Sequence, residues 1–303
     1  GRFHWHWYPR LPRLLADLRP DLLHIDEEPY NLATYLALRA ARRVGARTLF
    51  FSWQNIRRDY PLPFRLMERY CYTHADAAIA GTPAAAEVLR AKGYVGTLAV
   101  IPQFGVDPAA FCPRSHPPTT AGWTVGYAGR LVEEKGLHVL LAALERLGGD
   151  WRLAIAGSGP LREEILEWSA RRGYVARLDL RQHVPSREMP AFLAALDALV
   201  LPSLTRPNWK EQFGRVLVEA MACGVPVVGS DSGEIPAVVG DAGLIFREGD
   251  ADALAALLDR LRRSSDLQRD LAAAGRQRVL AHYTQARIAE QTVDLYRRVL
   301  GAV

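Results

Sequence analysis

Cysteine is scarce in this sequence. Cys71, Cys112 and Cys223 are scattered, odd in number and match no metal-ligand spacing, which argues against a disulfide framework or a zinc site and for buried thiols in a reducing cytosol. Long apolar runs are missing as well. No 18-residue apolar stretch exists, so no membrane-spanning helix is expected. The start, GRFHWHWYPR, has neither a Met nor a secretory leader and reads as the middle of something longer. Lysine occurs only at 92, 135 and 210, so the positive charge is almost all arginine. No motif for binding RNA or DNA is present, and a net charge of +5 alone does not argue for nucleic acid.

The charge is unevenly placed. Residues 1–114 hold 15 Lys+Arg against 10 Asp+Glu, whereas residues 115–303 hold 23 of each. The whole excess therefore lies in the first part, where it would attract an anionic lipid surface or an anionic acceptor. Trp5, Trp7 and Tyr8 beside Arg2, Arg10 and Arg13 would suit such an interface.

Short β-type runs alternate with helical patterns. Strands are expected over 21–26, 47–52, 76–81 and 97–102, then over 124–130, 152–157, 178–184, 198–203, 226–231 and 242–246. Helical periodicity is read over 135–147, 160–172, 188–196, 214–222 and 251–262. The strands are continuously apolar, as parallel strands covered on both faces are. Repeated βα units give an α/β chain of two Rossmann-like, doubly wound parallel-sheet domains. The expected division is a partial first domain (1–102), a Pro-rich linker (103–120), a second domain (121–282) and a terminal helix (283–303). Four strands against six make the first domain look truncated by about two βαβ units. Ile288, Val293, Leu295, Tyr296 and Leu300 mark the face by which the terminal helix would dock.

Ligands of open α/β sheets lie beyond the carboxyl ends of the strands. After the 124–130 strand come Gly129, Arg130, Lys135 and Gly136, two cations beside a helix start that would suit a pyrophosphate. After the 152–157 strand comes Gly157-Ser158-Gly159-Pro160. This is half a dinucleotide fingerprint, and Arg162 replaces its third glycine, which argues against a standard NAD site. Glu211 and Glu219, eight residues apart, flank Gln212, Phe213, Gly214 and Arg215, where a helix begins. Glu211 would accept from sugar hydroxyls and Glu219 from a ribose diol. Backbone amides at 213–215 would face phosphates. In the first domain Asp26, Glu27 and Glu28 end one strand, and Ser52, Gln54 and Asn55 follow another. These six are candidates for the acceptor side. His24 is read as structural.

The stretch PSLTRPNWKEQFGRVLVEAMACGVPVVGSDSGEIPAVVGDAGLIF resembles the signature of the GT-B retaining glycosyltransferases of family GT4. Glu211 and Glu219 match its E-x7-E motif. Gly129, Arg130, Lys135 and Gly136 match its G-R-x4-K-G element. IPQFGVDPAAFCP resembles its interdomain strand end. The resemblance implies the following roles. Glu211 contacts the transferred sugar, Glu219 the ribose, Arg130 and Lys135 the diphosphate, and backbone at His183 and Val184 the nucleobase. It implies a nucleotide-diphosphate sugar as substrate, a sugar or lipid-linked acceptor, and no cofactor or metal. The cysteine usage and the basic first part lead to the expectation of a cytoplasmic chain at the inner face of a membrane. Two features depart from the pattern. The glycine-rich loop after the family's first strand is not seen, and Ser52 stands where many members carry a histidine. A sugar-nucleotide epimerase or phosphorylase on the same fold, or a donor-binding module without turnover, remain as alternatives.

Overall fold

The computed structural model describes residues 3–114 and 122–301. The elements in chain order begin with α1 (Leu11–Leu18), β1 (Leu22–Ile25), α2 (Leu32–Arg43), β2 (Arg47–Ser52), α3 (Phe64–His74), β3 (Ala77–Ala80), α4 (Pro83–Ala91) and β4 (Thr97–Val100). There follow β5 (Trp123–Ala128), α5 (Leu137–Arg146), β6 (Trp151–Ala156), α6 (Arg162–Arg171), β7 (Leu178–Arg181), α7 (Met189–Ala194), β8 (Ala198–Leu201) and α8 (Arg215–Ala222). The chain ends with β9 (Val227–Ser230), α9 (Ile235–Val239), β10 (Leu244–Phe246), α10 (Ala251–Arg263), α11 (Ser265–His282) and α12 (Gln285–Leu300). Every expected strand is present.

Two compact units result, 1–103 with 286–303, and 104–285. The first holds a parallel sheet of order β1-β2-β3-β4. Its central strands β2 and β3 are buried along nearly their whole length because both faces are covered, while the edge strand β4 is partly exposed. Phe50, Ala78 and Ala80 pack with Tyr72, Leu89 and Tyr94 on one face. Leu49, Phe51, Ala77 and Ile79 pack with Leu295 on the other, with Ile288, Tyr296 and Val299 against the same cluster. The terminal helix thus belongs to the first unit's core. Its expected face is partly corrected, since Val293 and Leu300 are 41% and 45% exposed. His24 Nδ1 lies 2.7 Å from the Tyr296 hydroxyl, and burial pushes the imidazole below its ordinary pKa, against the pull of Asp26. Thr82 caps α4 by accepting from the Ala85 amide at 3.2 Å, with Pro83 at the first helical position.

The second unit holds a parallel sheet of order β10-β9-β8-β5-β6-β7. The order reverses between β5 and β8, which pair as Val125↔Ala198 and Gly126↔Leu199. Such a switch point opens a crevice at the carboxyl ends of the two strands. A side chain at Gly126 would meet Leu196 Cδ1 at 2.1 Å, so glycine lets the β8 approach segment close in. Residues 104–114, expected as linker, are fastened to this unit. Val106 pairs with Thr284, and Arg276 donates to the Phe111 carbonyl at 3.2 Å. The rest of that linker, 115–120, lies outside the described residues, as does Arg2. Cys71 and Cys223 are buried as expected, while Cys112 is exposed.

The packing of α12 separates two substitutions. Leu295, fully buried, is expected to cost about 2–5 kcal/mol on change to Ala. Val293→Ala is expected to stay within about 0.5 kcal/mol. Urea midpoints of the two variants check this, and equal midpoints would refute the assigned face.

Candidate active site

A groove of about 570 Å³ opens in the second unit at the switch point. Four strand-end loops line it. Gly129, Arg130 and Lys135 follow β5, Gly157 follows β6, His183 and Val184 follow β7, and Glu211 to Glu219 lie between β8 and the middle of α8. Close backbone approach makes this convergence possible. A Cβ on Gly136, at φ +66°, would sit 1.9 Å from the Pro202 carbonyl oxygen, and one on Gly157 would sit 1.9 Å from that of Gly129.

Lys135 and Glu211 meet directly. Lys135 Nζ donates to Glu211 Oε2 at 2.6 Å, and Ser203 Oγ donates to the same oxygen at 2.7 Å. Glu211 is 6% exposed and Ser203 fully buried. The Trp209 ring lies 5.1 Å from the Lys135 ammonium and adds a cation–π contact. The Glu211 backbone is fixed from behind. Its carbonyl accepts from the Glu234 amide at 3.1 Å, and a Cβ on Gly233 would strike it at 2.1 Å.

Helix α8 starts at Gly214, in the left-handed region at φ +74°, with no side chain capping its first amides. Those donors and the positive end of the helix dipole face the groove, a ready place for an anion. One turn on, Arg215 Nε donates to Glu219 Oε1 at 2.7 Å. Burial holds the Glu219 carboxyl above its ordinary pKa, with Arg215 opposing. Arg130 reaches Glu134 at 3.4 Å and keeps its side chain 64% exposed, so this weak surface pair leaves the guanidinium available. Among the described residues no three His, Cys, Asp or Glu side chains are grouped to hold a metal ion.

Ten of the thirteen expected catalytic and donor residues line the groove: Gly129, Arg130, Lys135, Gly157, His183, Val184, Glu211, Gly214, Arg215 and Glu219. Three do not. Phe213 is 6% exposed and turns its ring toward Tyr283, 5.7 Å away. Gly159 is packed under the Leu131 carbonyl, which its Cβ would meet at 2.4 Å. Gln212 is exposed but outside the lining. Reading the residues after each strand misses Ser203, although it stands two positions past β8. It also misses Ser186 and Met189 on the groove wall, which carry no charge to draw notice.

Four of the six acceptor-side candidates need correction. Ser52, Gln54 and Asn55 are buried, at 0%, 7% and 6% exposure. Ser52 Oγ donates to Glu28 Oε2 at 2.8 Å, and Gln54 Nε2 donates to the Ile56 carbonyl at 3.1 Å. Glu28 also accepts from the Trp53 amide at 2.7 Å. Glu27 accepts from Asn31 at 2.7 Å and lies 2.9 Å from His6, while both Asp26 carboxylate oxygens accept from Gln103 Nε2, at 2.7 and 2.8 Å. Ser52, Gln54, Asn55 and Glu28 are thus framework, held within the protein, whereas Asp26 is exposed and Glu27 half-buried. Burial raises the Glu28 carboxyl to about 7, opposed by its two hydrogen bonds and reinforced by Glu68. Below pH 4.5 the group is neutral whether folded or unfolded. As pH rises from 4.5 through 7 the unfolded chain loses the proton first, so stability falls, by up to about 3 kcal/mol. Thermal melts between pH 5 and 8 should show this slope in the wild type and a flatter one in Glu28→Gln. Coincident slopes would refute the assignment.

The comparisons with known proteins agree with this fold. The family model "Glycosyl transferases group 1" matches residues 113–278, and "Glycosyl transferase 4-like domain" matches residues 1–103. The putative colanic acid biosynthesis glycosyltransferase WcaL of Salmonella typhimurium is 30% identical over 218 residues, 70% of this chain and 54% of its own. The alpha-maltose-1-phosphate synthase of Mycolicibacterium smegmatis is 33% identical over 192 residues, 58% of this chain and 48% of its own. The chain thus spans about half the length of these curated relatives. Among solved structures, Anabaena HepE in complex with UDP superimposes with a TM-score of 0.80 at 19% identity, covering 96% of this chain and 82% of that one. Sucrose-phosphate synthase from Thermosynechococcus elongatus gives 0.75 at 23%, covering 96% and 76%. With two parallel-sheet α/β units, matches along nearly its whole length and the Lys135–Glu211 groove at a switch point, the chain belongs to the GT-B group 1 glycosyltransferases.

Proposed function

We propose that this chain transfers a hexose-type sugar from a nucleotide-diphosphate sugar to an acceptor hydroxyl, with retention of anomeric configuration. One observation carries the reading: Lys135, Glu211, Glu219 and the uncapped start of α8 share one groove. HepE has been solved in complex with UDP and with UDP-glucose, and WcaL is named for colanic acid biosynthesis. Both support a sugar nucleotide as donor and cell-surface polysaccharide or glycolipid synthesis as the setting.

In this reading the ribose diol donates to Glu219, whose other oxygen is steadied by Arg215. The diphosphate lies at the amides of Arg215 and Val216, and the sugar reaches Glu211. The nucleobase meets the backbone near His183 and Val184. As the C1–O bond to phosphate breaks, negative charge grows on the leaving oxygen. Arg130, Lys135 and the helix dipole stabilise that charge more in the transition state than in the ground state. The acceptor oxygen bonds to C1 from the same face, and its proton passes to the departing diphosphate. The cations of the chain supply the charge compensation, so we propose that no metal is required. The acceptor is a sugar or a lipid-linked sugar. The exposed Trp5, Trp7 and Tyr8 beside Arg10 and Arg13 would suit an anionic membrane, and we propose that the chain works at its cytoplasmic face. No described helix is long and apolar enough to cross one.

Three measurements test the proposal. A thermal-shift screen of UDP-glucose, UDP-galactose, GDP-mannose and ADP-glucose should give one or more stabilising donors, worth about 2.7 kcal/mol at a hundred times Kd. Glu219→Ala should abolish the shift, and Lys135→Ala should lower kcat about 10²–10³-fold. Stabilisation that survives Glu219→Ala would place the donor elsewhere. For the membrane contact, sedimentation with phosphatidylserine vesicles should fall steeply between 50 mM and 500 mM salt. Salt-independent binding, or none, would rule the electrostatic contact out.

A further inference from the structure

The first unit contains a buried ion pair that the transfer chemistry does not use. Lys92 and Glu68 are bonded to each other, and both side chains are 6% exposed. Desolvating two charges costs several kcal/mol before their attraction repays it. Here the pair also fixes backbone. Lys92 Nζ donates to the Arg58 carbonyl at 3.0 Å and to Gln54 Oε1 at 3.4 Å, and lies 4.8 Å from the centre of the Tyr60 ring. Tyr60 in turn stacks on Tyr30 at 4.1 Å.

The same segment is gripped at its start. Glu28 accepts from Ser52 Oγ and from the Trp53 amide. The Trp53 indole lies over Gly81, where a Cβ would come within 2.5 Å of its ring, and its Nε1 donates to Gln103 at 2.6 Å. Residues 52–60 are thus held at the start, middle and end. Between the grips, Arg57, Arg58 and Asp59 are exposed. Arg58 acts electrostatically on the Tyr30 and Tyr60 hydroxyls. Arg57 has no hydrogen-bond or ion-pair partner among the described residues. The loop follows β2, at the carboxyl end of a parallel sheet, where such sheets bind ligands. The first unit holds 17 Lys+Arg against 11 Asp+Glu, and the second 21 against 22.

We propose that residues 52–60 form a pre-set recognition loop for an anionic group on the acceptor, a phosphate or a carboxylate. Arg57 is the contacting residue, and Lys92 is the positioning residue that keeps the loop in place. This rests on the acceptor-using reading above. A guanidinium binds either oxyanion in two-point fashion, and a loop ordered in advance loses little entropy on binding.

The test uses the full chain and three probes, octyl α-glucosyl phosphate, octyl glucuronide and uncharged octyl α-glucoside, below their micellar concentrations. Titration calorimetry should show one or both charged probes binding at least fivefold more tightly than the neutral one, and the stronger of the two identifies the oxyanion. Arg57→Gln, an exposed change that leaves the fold intact, should remove that preference, a loss of about tenfold for a charge-assisted contact. Hydrogen exchange should show residues 53–60 opening in Lys92→Met, with weaker binding of the charged probe and rescue of both by Lys92→Arg. Equal binding of all three probes, no binding of any, or an unchanged preference in Arg57→Gln would each overturn the proposal. Donor thermal shifts measured in the same variants report on the second unit separately. Their persistence alongside a negative probe result would sink this inference without touching the donor reading.

Discussion

The Lys135–Glu211 pair is the interaction on which the second unit's groove depends. It joins the loop after β5 to the loop after β8 across the point where the strand order reverses. That contact needs three local conditions. β5 and β8 must be neighbours, which Gly126 permits by admitting Leu196. The β5 loop must turn against Pro202, which only a glycine at 136 allows at φ +66°. Glu211 must be held from behind, which Ser203 and the 233–234 backbone do. Removing either charge would strand the other in a site with little water, a loss of several kcal/mol in comparable buried pairs.

The pair also sets the groove's electrostatics. Glu211 offsets Lys135, Glu219 offsets Arg215 and Glu134 partly offsets Arg130. Without a ligand the site is close to neutral, apart from the uncapped amides of α8. An anion entering there meets donors that are already oriented and draws on cations whose present partners are carboxylates. The Glu219 carboxyl is lifted by burial, with Arg215 against that, so added hydroxyl donors would favour its ionised form.

Strands were legible because most are short apolar runs bounded by turn residues, the pattern that two-sided burial imposes, while the edge strand β7, LDLR, alternates apolar and charged residues. The helices of the first unit were not. In α2 the buried positions include Ala33, Ala37, Ala40 and Ala41, which give little contrast against their neighbours. The groove of the second unit was legible because its residues follow strand ends and carry charge or glycine. Ser203 carries neither. Ser52, Gln54 and Asn55 were misplaced as open polar groups because nothing near them in the chain discloses their partners. Lys92 arrives from 38 positions beyond Gln54. On α12 the error has a geometric cause. At 100° per residue, Ile288, Leu295 and Val299 fall within a narrow stripe, while Val293 and Leu300 fall about 120–140° away.

The two engaged lysines show how the same residue type serves two ends. An ammonium has three hydrogens to donate. Lys92 uses them on Glu68, the Arg58 carbonyl and Gln54, and its remaining face meets Tyr60. It has no capacity left, so it can only hold. Lys135 has one carboxylate and one aromatic face among the described residues. It keeps donors to spare and borders an open groove, so a second anion can be added without breaking the first contact. The capacity left on a buried charge, more than its burial, therefore separates the lysine that builds the first unit from the one placed to act in the second.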